Sequence, residues 1–283
     1  MSIFSGLGAV GLDSFKEKSI FEEEKATVAK DELSGLQIME EKDFLFEKSY
    51  TCPVCDSKFK VPAIRAGKAK LIGQDADLRP RYEGIDPIKY DAILCNNCGF
   101  AAISRGFTNM TTLQMRNIKE KVCSNFRPLP ESGETYSYDD AIIRHKIALI
   151  CSVVKNAKAS ERAYTCLKIS WLLKSKLEIM DNKKSAEYKE LEQQLKESVQ
   201  NAYDGFQQAF SKESFPICGM EEMAYTYLVA ELARDLGKYE EATRLIGRII
   251  INPNANQRIK EKAIDLKERI KEDLVKDLAA EQK

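Results

Sequence analysis

Cys52-Pro-Val-Cys55 and Cys95-Asn-Asn-Cys98 carry the most definite chemistry in this sequence. A C-x-x-C segment folds as a tight turn that aims two sulfurs at one point, and its backbone N–H groups donate to those sulfurs, so two such turns complete a tetrahedral four-thiolate site. This ligand set predicts one structural zinc ion held by Cys52, Cys55, Cys95 and Cys98. A mononuclear iron can use similar turns, whereas a thioredoxin-like redox pair needs a single C-x-x-C at a helix start rather than two in loops. Gly99 follows the second pair and suits a left-handed backbone, a place that Asp56 takes after the first pair.

The 39 residues between the pairs exceed the roughly 15 to 20 of a minimal zinc ribbon, so something is inserted. The insert is dense in polar groups, which are costly to bury and unnecessary for a staple. Two readings follow. Arg65 or Arg79 pairs with Asp75 or Asp77 to order a loop that has little core, or Arg65, Asp75, Asp77, Arg79, Tyr82 and Asp86 converge on a ligand or a partner.

The elements that must position these groups change texture along the chain. Residues 1–48 read as an acidic N-terminal tether, because residues 13–48 hold 11 acidic and 6 basic side chains and no sustained apolar period. Within it, Ser2 to Leu12 carries Phe4, Leu7, Val10 and Leu12 and is short enough to be a frayed end. Residues 49–126 read as a small, loop-rich zinc-ribbon-like module, with β-leaning runs at Lys58 to Ile64, Ala69 to Ile72 and Tyr90 to Leu94. The turn-forming stretch Arg127 to Gly133 then marks a boundary.

Residues 127–283 read as helices, opening at the capping pattern Ser137-Tyr-Asp-Asp140 and broken at Phe215 to Gly219, Leu236 to Lys238 and Asn252 to Asn254. Ala230, Gly237, Tyr239 and Ala242 stand at the spacing of a tetratricopeptide repeat, and Ala202, Phe206 and Ala209 resemble the second helix of another. Thr226, Ala233 and Pro253 depart from that pattern. The fold class expected is therefore α+β: a four-cysteine module followed by an all-α, tetratricopeptide-like helical array.

The run Cys52-Pro-Val-Cys55, Phe59, Arg65, Asp75-Ala-Asp77, Tyr82-Glu-Gly84, Asp86-Pro87, Tyr90, Cys95 to Cys98-Gly-Phe-Ala-Ala102 resembles a bacterial family of unknown function, number 2225. The likeness extends through Tyr136 to Ala141 and Ala163 to Trp171. It implies a zinc-binding bacterial protein with helical repeats and implies no activity.

Charge and composition narrow the function classes. The 44 basic and 44 acidic side chains cancel, and from Cys52 to Cys98 the 8 basic and 6 acidic side chains, four thiolates and one zinc also sum to zero. A nucleic-acid-binding ribbon needs uncompensated cations and is the weaker alternative. Two paired cysteine motifs and four scattered cysteines fit a reducing compartment, and no signal segment or spanning helix is apparent, so a cytoplasmic address is expected. His145 is the only histidine, and it falls on a mostly apolar helix, as do Cys123, Cys151 and Cys166, which read as small core residues. Cys218 reads as a structural thiol. No phosphate loop and no Ser/His/Asp set is present, and an enzyme would have to use the insert. The reading is a zinc-binding adaptor or scaffold without evident catalysis, whose helical array meets a protein partner.

Overall fold

The computed structural model describes residues 39–281, Asn109 and the side chains at 278, 280 and 281 excepted. The Ser2 to Leu12 segment and the first part of the acidic stretch lie outside the described residues.

Three antiparallel hairpins precede the main helices. β1 (Leu45–Thr51) pairs with β2 (Lys58–Ile64), with Leu45 opposite Ile64 and Thr51 opposite Lys58. β3 (Leu71–Gln74) pairs with β4 (Pro80–Tyr82) around a bulge after Leu71, and β5 (Ala92–Leu94) pairs with β6 (Ala101–Ile103). β1 begins inside the charge-dense stretch. Phe44 and Leu45 are buried there, whereas Glu47 faces solvent and pairs with Lys60 across the hairpin at 2.9 Å. The end of the stretch that reads as a tether is thus a strand with exposed charges and an apolar anchor.

α1 (Thr112–Ile118) runs into a π-helical turn at Lys119–Cys123. Its start is a capping box, in which Thr111 Oγ1 accepts from the Gln114 N–H at 3.3 Å and Gln114 Oε1 accepts from the Thr111 N–H at 3.0 Å. A loop-rich module does not include this helix, although Thr-x-x-Gln is a sequence signal for it.

Six longer helices follow: α2 (Tyr138–Val154), α3 (Ala159–Glu178), α4 (Ala186–Lys212), α5 (Glu222–Asp235), α6 (Tyr239–Ile251) and α7 (Gln257–Glu281). α2 starts at the expected cap, where Ser137 Oγ accepts from the Asp140 N–H at 3.0 Å. Contacts between opposite ends make neighbours antiparallel. Lys176 near the end of α3 reaches Asp139 in α2 and Glu187 in α4, Arg248 near the end of α6 reaches Glu222, and Tyr239 at the start of α6 reaches Asp277 in α7. Close approach of α3 and α4 requires Gly205, since a Cβ there would sit 2.8 Å from the Ala163 methyl.

The main core lies among α3, α4 and α5, with Leu167, Leu172, Leu173, Phe206 and Leu232 fully buried. A second core runs from the cysteine turns through Phe100, Phe107 and Ile118 to Cys151 on α2. Hairpins and helices therefore share buried surface. The architecture is α+β, with small antiparallel sheets followed by helices.

Candidate metal centre

Each cysteine pair sits at the tip of a hairpin, and the two tips have the same backbone geometry. After β1, the Cys52 N–H donates to Ser57 O at 2.9 Å and the Asp56 N–H donates to Cys52 O at 3.0 Å. After β5, the Cys95 N–H donates to Phe100 O at 2.9 Å and the Gly99 N–H donates to Cys95 O at 2.8 Å. Closing such a turn needs a left-handed residue after the second cysteine. Asp56 and Gly99 supply it, at φ 60° and 79°. Gly99 has a further constraint, because a Cβ would come within 2.3 Å of the Phe126 ring.

The two turns bring all four sulfurs within 4.8 Å of one another. Cys52 and Cys98 stand 3.6 Å apart, as do Cys55 and Cys95. A tetrahedral ion with metal–sulfur bonds of about 2.3 Å has sulfur–sulfur edges of about 3.8 Å, so these four residues fit a metal ion. The Val54 N–H points to Cys52 Sγ at 3.4 Å. Asn97 joins the two tips, donating from Nδ2 to Cys55 Sγ at 3.5 Å and to Ser57 Oγ at 2.9 Å. Such donors to sulfur offset the charge that thiolates bring.

Electrostatics argue the same way. Hydrogen bonds from Cys52 and then Cys98 hold the Cys95 thiol far down, and the same contacts push Cys52 and Cys98 up. Burial works against charge at Cys55, but donors from Ser57 and Asn97 outweigh it and keep that thiol below its ordinary value. Four sulfurs at this spacing cannot all ionise without a cation among them.

Cys151 is a small core residue, as its apolar neighbours in sequence imply, and it is fully buried, yet it also fastens the second tip to α2. Its sulfur accepts from the Ala101 N–H at 3.4 Å and faces Gly99 O at 3.6 Å. Asn96 pins the following loop, with its side chain donating to Leu129 O at 2.9 Å and accepting from the Leu129 N–H at 2.8 Å. These supporting roles have no motif in the sequence. A polar residue inside a C-x-x-C turn is the available hint.

Of the six insert residues Arg65 stands apart, and the other five lie on or beside the β3–β4 hairpin. Arg65 donates from Nε to Leu45 O at 2.7 Å, tying β2 back to β1. Asp75 accepts from Arg79 Nε at 2.6 Å and Arg81 Nε at 2.9 Å. Both arginines also bind Glu178 of α3, and Arg79, only 3% exposed, donates to Ser175 Oγ at 3.0 Å. Asp77 accepts from the Arg79 N–H at 3.2 Å and from Lys174 Nζ at 2.6 Å. Asp86 caps the turn Pro87–Tyr90 through the Ile88 N–H at 3.0 Å. Tyr82 packs with Phe44, Ile85 and Tyr90. Arg79, Tyr82 and Asp86 also line an open cavity of about 340 Å³. Most of the polar groups are spent on docking the β3–β4 hairpin to α3, and their partners Glu178, Ser175 and Lys174 carry no signal of that role in the sequence.

His145 is fully buried, with Nδ1 2.8 Å from Ala141 O, and no metal-ligand cluster other than the four cysteines occurs among the described residues. Cys218 is held with its thiol toward Ser160 O at 3.4 Å, and burial pushes it up to about 11. Among the described residues no helix is long and apolar enough to cross a membrane.

No curated protein and no solved structure matches this chain. A family model does, over residues 45–270, which takes in both cysteine turns, the ion-paired insert and most of the helices. The chain thus belongs to the family described as uncharacterized protein conserved in bacteria (DUF2225).

Proposed function

We propose that this protein is a zinc-stapled, tetratricopeptide-like interaction protein of the bacterial cytoplasm, without catalysis of its own. Zinc is favoured over iron because two well-separated C-x-x-C turns closed by four thiolates are the common structural-zinc arrangement. The repeat-like reading is supported by Ala230 and Ala242, both fully buried on the neighbouring helices α5 and α6, and by Gly237, which turns between them at φ 72°. Ala202, Phe206 and Ala209 are likewise fully buried on α4.

One observation carries the interaction reading. α2 is fastened to the second cysteine turn by Cys151, and its outer face presents Ile143, Ile150 and Val153, which are 40%, 55% and 55% exposed at i, i+7 and i+10. An apolar stripe at helical spacing is the form that an amphipathic partner helix reads. The zinc staple then sets the position of that face.

Photo-crosslinking tests this. A crosslinking amino acid at Ile150 or Val153, expressed in the native host, should give a discrete adduct with a different polypeptide, whereas the same group at the exposed Lys189 of α4 should not. An adduct that is only a dimer of this chain, or none at either position, overturns the reading.

A further inference from the structure

A second cavity of about 340 Å³ shares Pro80 and Tyr82 with the first and is lined by the β1–β2 hairpin and by Lys168 of α3. It is also open, and its walls mix polar surface with apolar side chains from Val61 and Ile64 on β2 and Ile93 on β5, with Tyr50 beside them. Asp91, Ser104 and Lys168 supply the polar end. Apolar walls with a few convergent polar groups are the usual form of a small-molecule site, and this volume is near the lower end of the roughly 300–1,000 Å³ such sites occupy.

The polar end is built with one group in surplus. Asp91 Oδ1 accepts from Ser104 Oγ at 2.6 Å, and Oδ2 is paired with the Lys168 ammonium. Both carboxylate oxygens are therefore engaged. Lys168 is only 8% exposed, and among the described residues its ammonium has Asp91 as its one carboxylate partner, although it carries three N–H donors. Lys48 also lines the cavity, and Asp91 is the only acidic residue that does, so the lining is net positive. Beside Asp91 and the face of the Tyr164 ring, 4.8 Å from its centroid, the Lys168 ammonium keeps N–H donors that an anion entering the cavity can take up.

We propose that this cavity binds a small organic acid, its carboxylate on the Lys168 ammonium and its aromatic or branched hydrocarbon body against Val61, Ile64 and Ile93. The site is separate from the cysteine centre and from the outer face of α2.

Fluorine NMR of the full-length, zinc-loaded protein tests this with 4-fluorobenzoate, 4-fluorobenzylamine and 4-fluorobenzamide, and isovalerate as a competing aliphatic acid. Saturable binding of the benzoate, at least about tenfold tighter than the amine or amide, is expected. Ala63→Phe, which places a ring in the cavity from β2, should abolish it with zinc content unchanged. The double variant Lys168→Met with Asp91→Asn removes both charges together and should weaken the acid at least about tenfold. If that double variant does not fold, Ala63→Phe decides alone. Failure of both acids to bind, equal binding of the amine, or benzoate binding untouched by Ala63→Phe overturns the proposal.

Discussion

Lys174 on α3 places its ammonium 2.6 Å from Asp77 Oδ2 in the β3–β4 loop. Asp77 is 3% exposed, and the same ammonium stands 3.2 Å from Asp235 at the end of α5, so one lysine joins the insert to two helices.

Removing that lysine alone leaves the buried Asp77 without its ion-pair partner, while Asp235 keeps Arg234 at 3.8 Å. Lys174→Met should cost about 3 kcal/mol of stability, since breaking one side of a largely buried pair strands the other charge. Adding Asp77→Asn should recover at least about 1 kcal/mol of the loss. Urea unfolding of the single and double variants measures this, and strictly additive losses would mean that the pair does not couple the insert to the helices.

Metal content checks the cysteine centre. The purified protein should carry about one zinc per chain, and Cys95→Ser should lose it, because three thiolates leave a four-coordinate structural site open. Backbone amide exchange should then rise in both hairpin tips and at Ala101, whose N–H rests on Cys151. Full zinc retention in the variant would contradict the assignment.

His145 predicts a pH dependence with a definite sign. Burial pulls it from 6.5 to about 4, with the hydrogen bond to Ala141 opposing only in part. The unfolded chain then binds a proton that the folded chain refuses between those values, so stability rises with pH from about 4 to 6.5 and is flat above. Between pH 5 and 6.5 this group alone should supply about 2 kcal/mol of that rise. His145→Gln should flatten the profile in that window, as read by denaturant midpoints, and an unchanged slope would refute burial of this imidazole as the cause.

The two turn residues at matched positions should respond unequally. Gly99→Ala forces a Cβ into the Phe126 ring as well as into a left-handed backbone, and should cost more than about 2 kcal/mol. Asp56→Gly removes backbone strain at the equivalent place and should leave the melting temperature nearly unchanged. Equal losses in both variants would show that the turns do not share one geometry.

Much of the local structure could be read from neighbours in sequence. The four cysteines announced a metal site because C-x-x-C spacing alone aims two sulfurs together, and Gly99 after the second pair matched its backbone. Ser137 with Asp140, the breaks near Pro216, Gly237 and Pro253, and the run Lys58–Ile64 marked elements that the structure contains. These features depend on residues one to five apart, where spacing fixes geometry. The start of β1 escaped because Glu47 and Lys48 mask a strand held by Phe44 and Leu45, and α1 escaped because its only signal was Thr111 with Gln114.

Partnership across the chain was decided by tertiary structure alone. The sequence shows charges at Asp75, Asp77, Arg79 and Arg81, but whether they meet a ligand or each other depends on Glu178, Ser175 and Lys174, roughly a hundred positions away on α3. The same holds for Cys151 against Ala101, Asn97 against Cys55, and the Asp91–Lys168 pair that leaves an ammonium facing a cavity. Charge and hydrogen-bonding capacity belong to a residue type and are visible in sequence, whereas satisfaction of that capacity is a distance between atoms, and only the packed chain sets it.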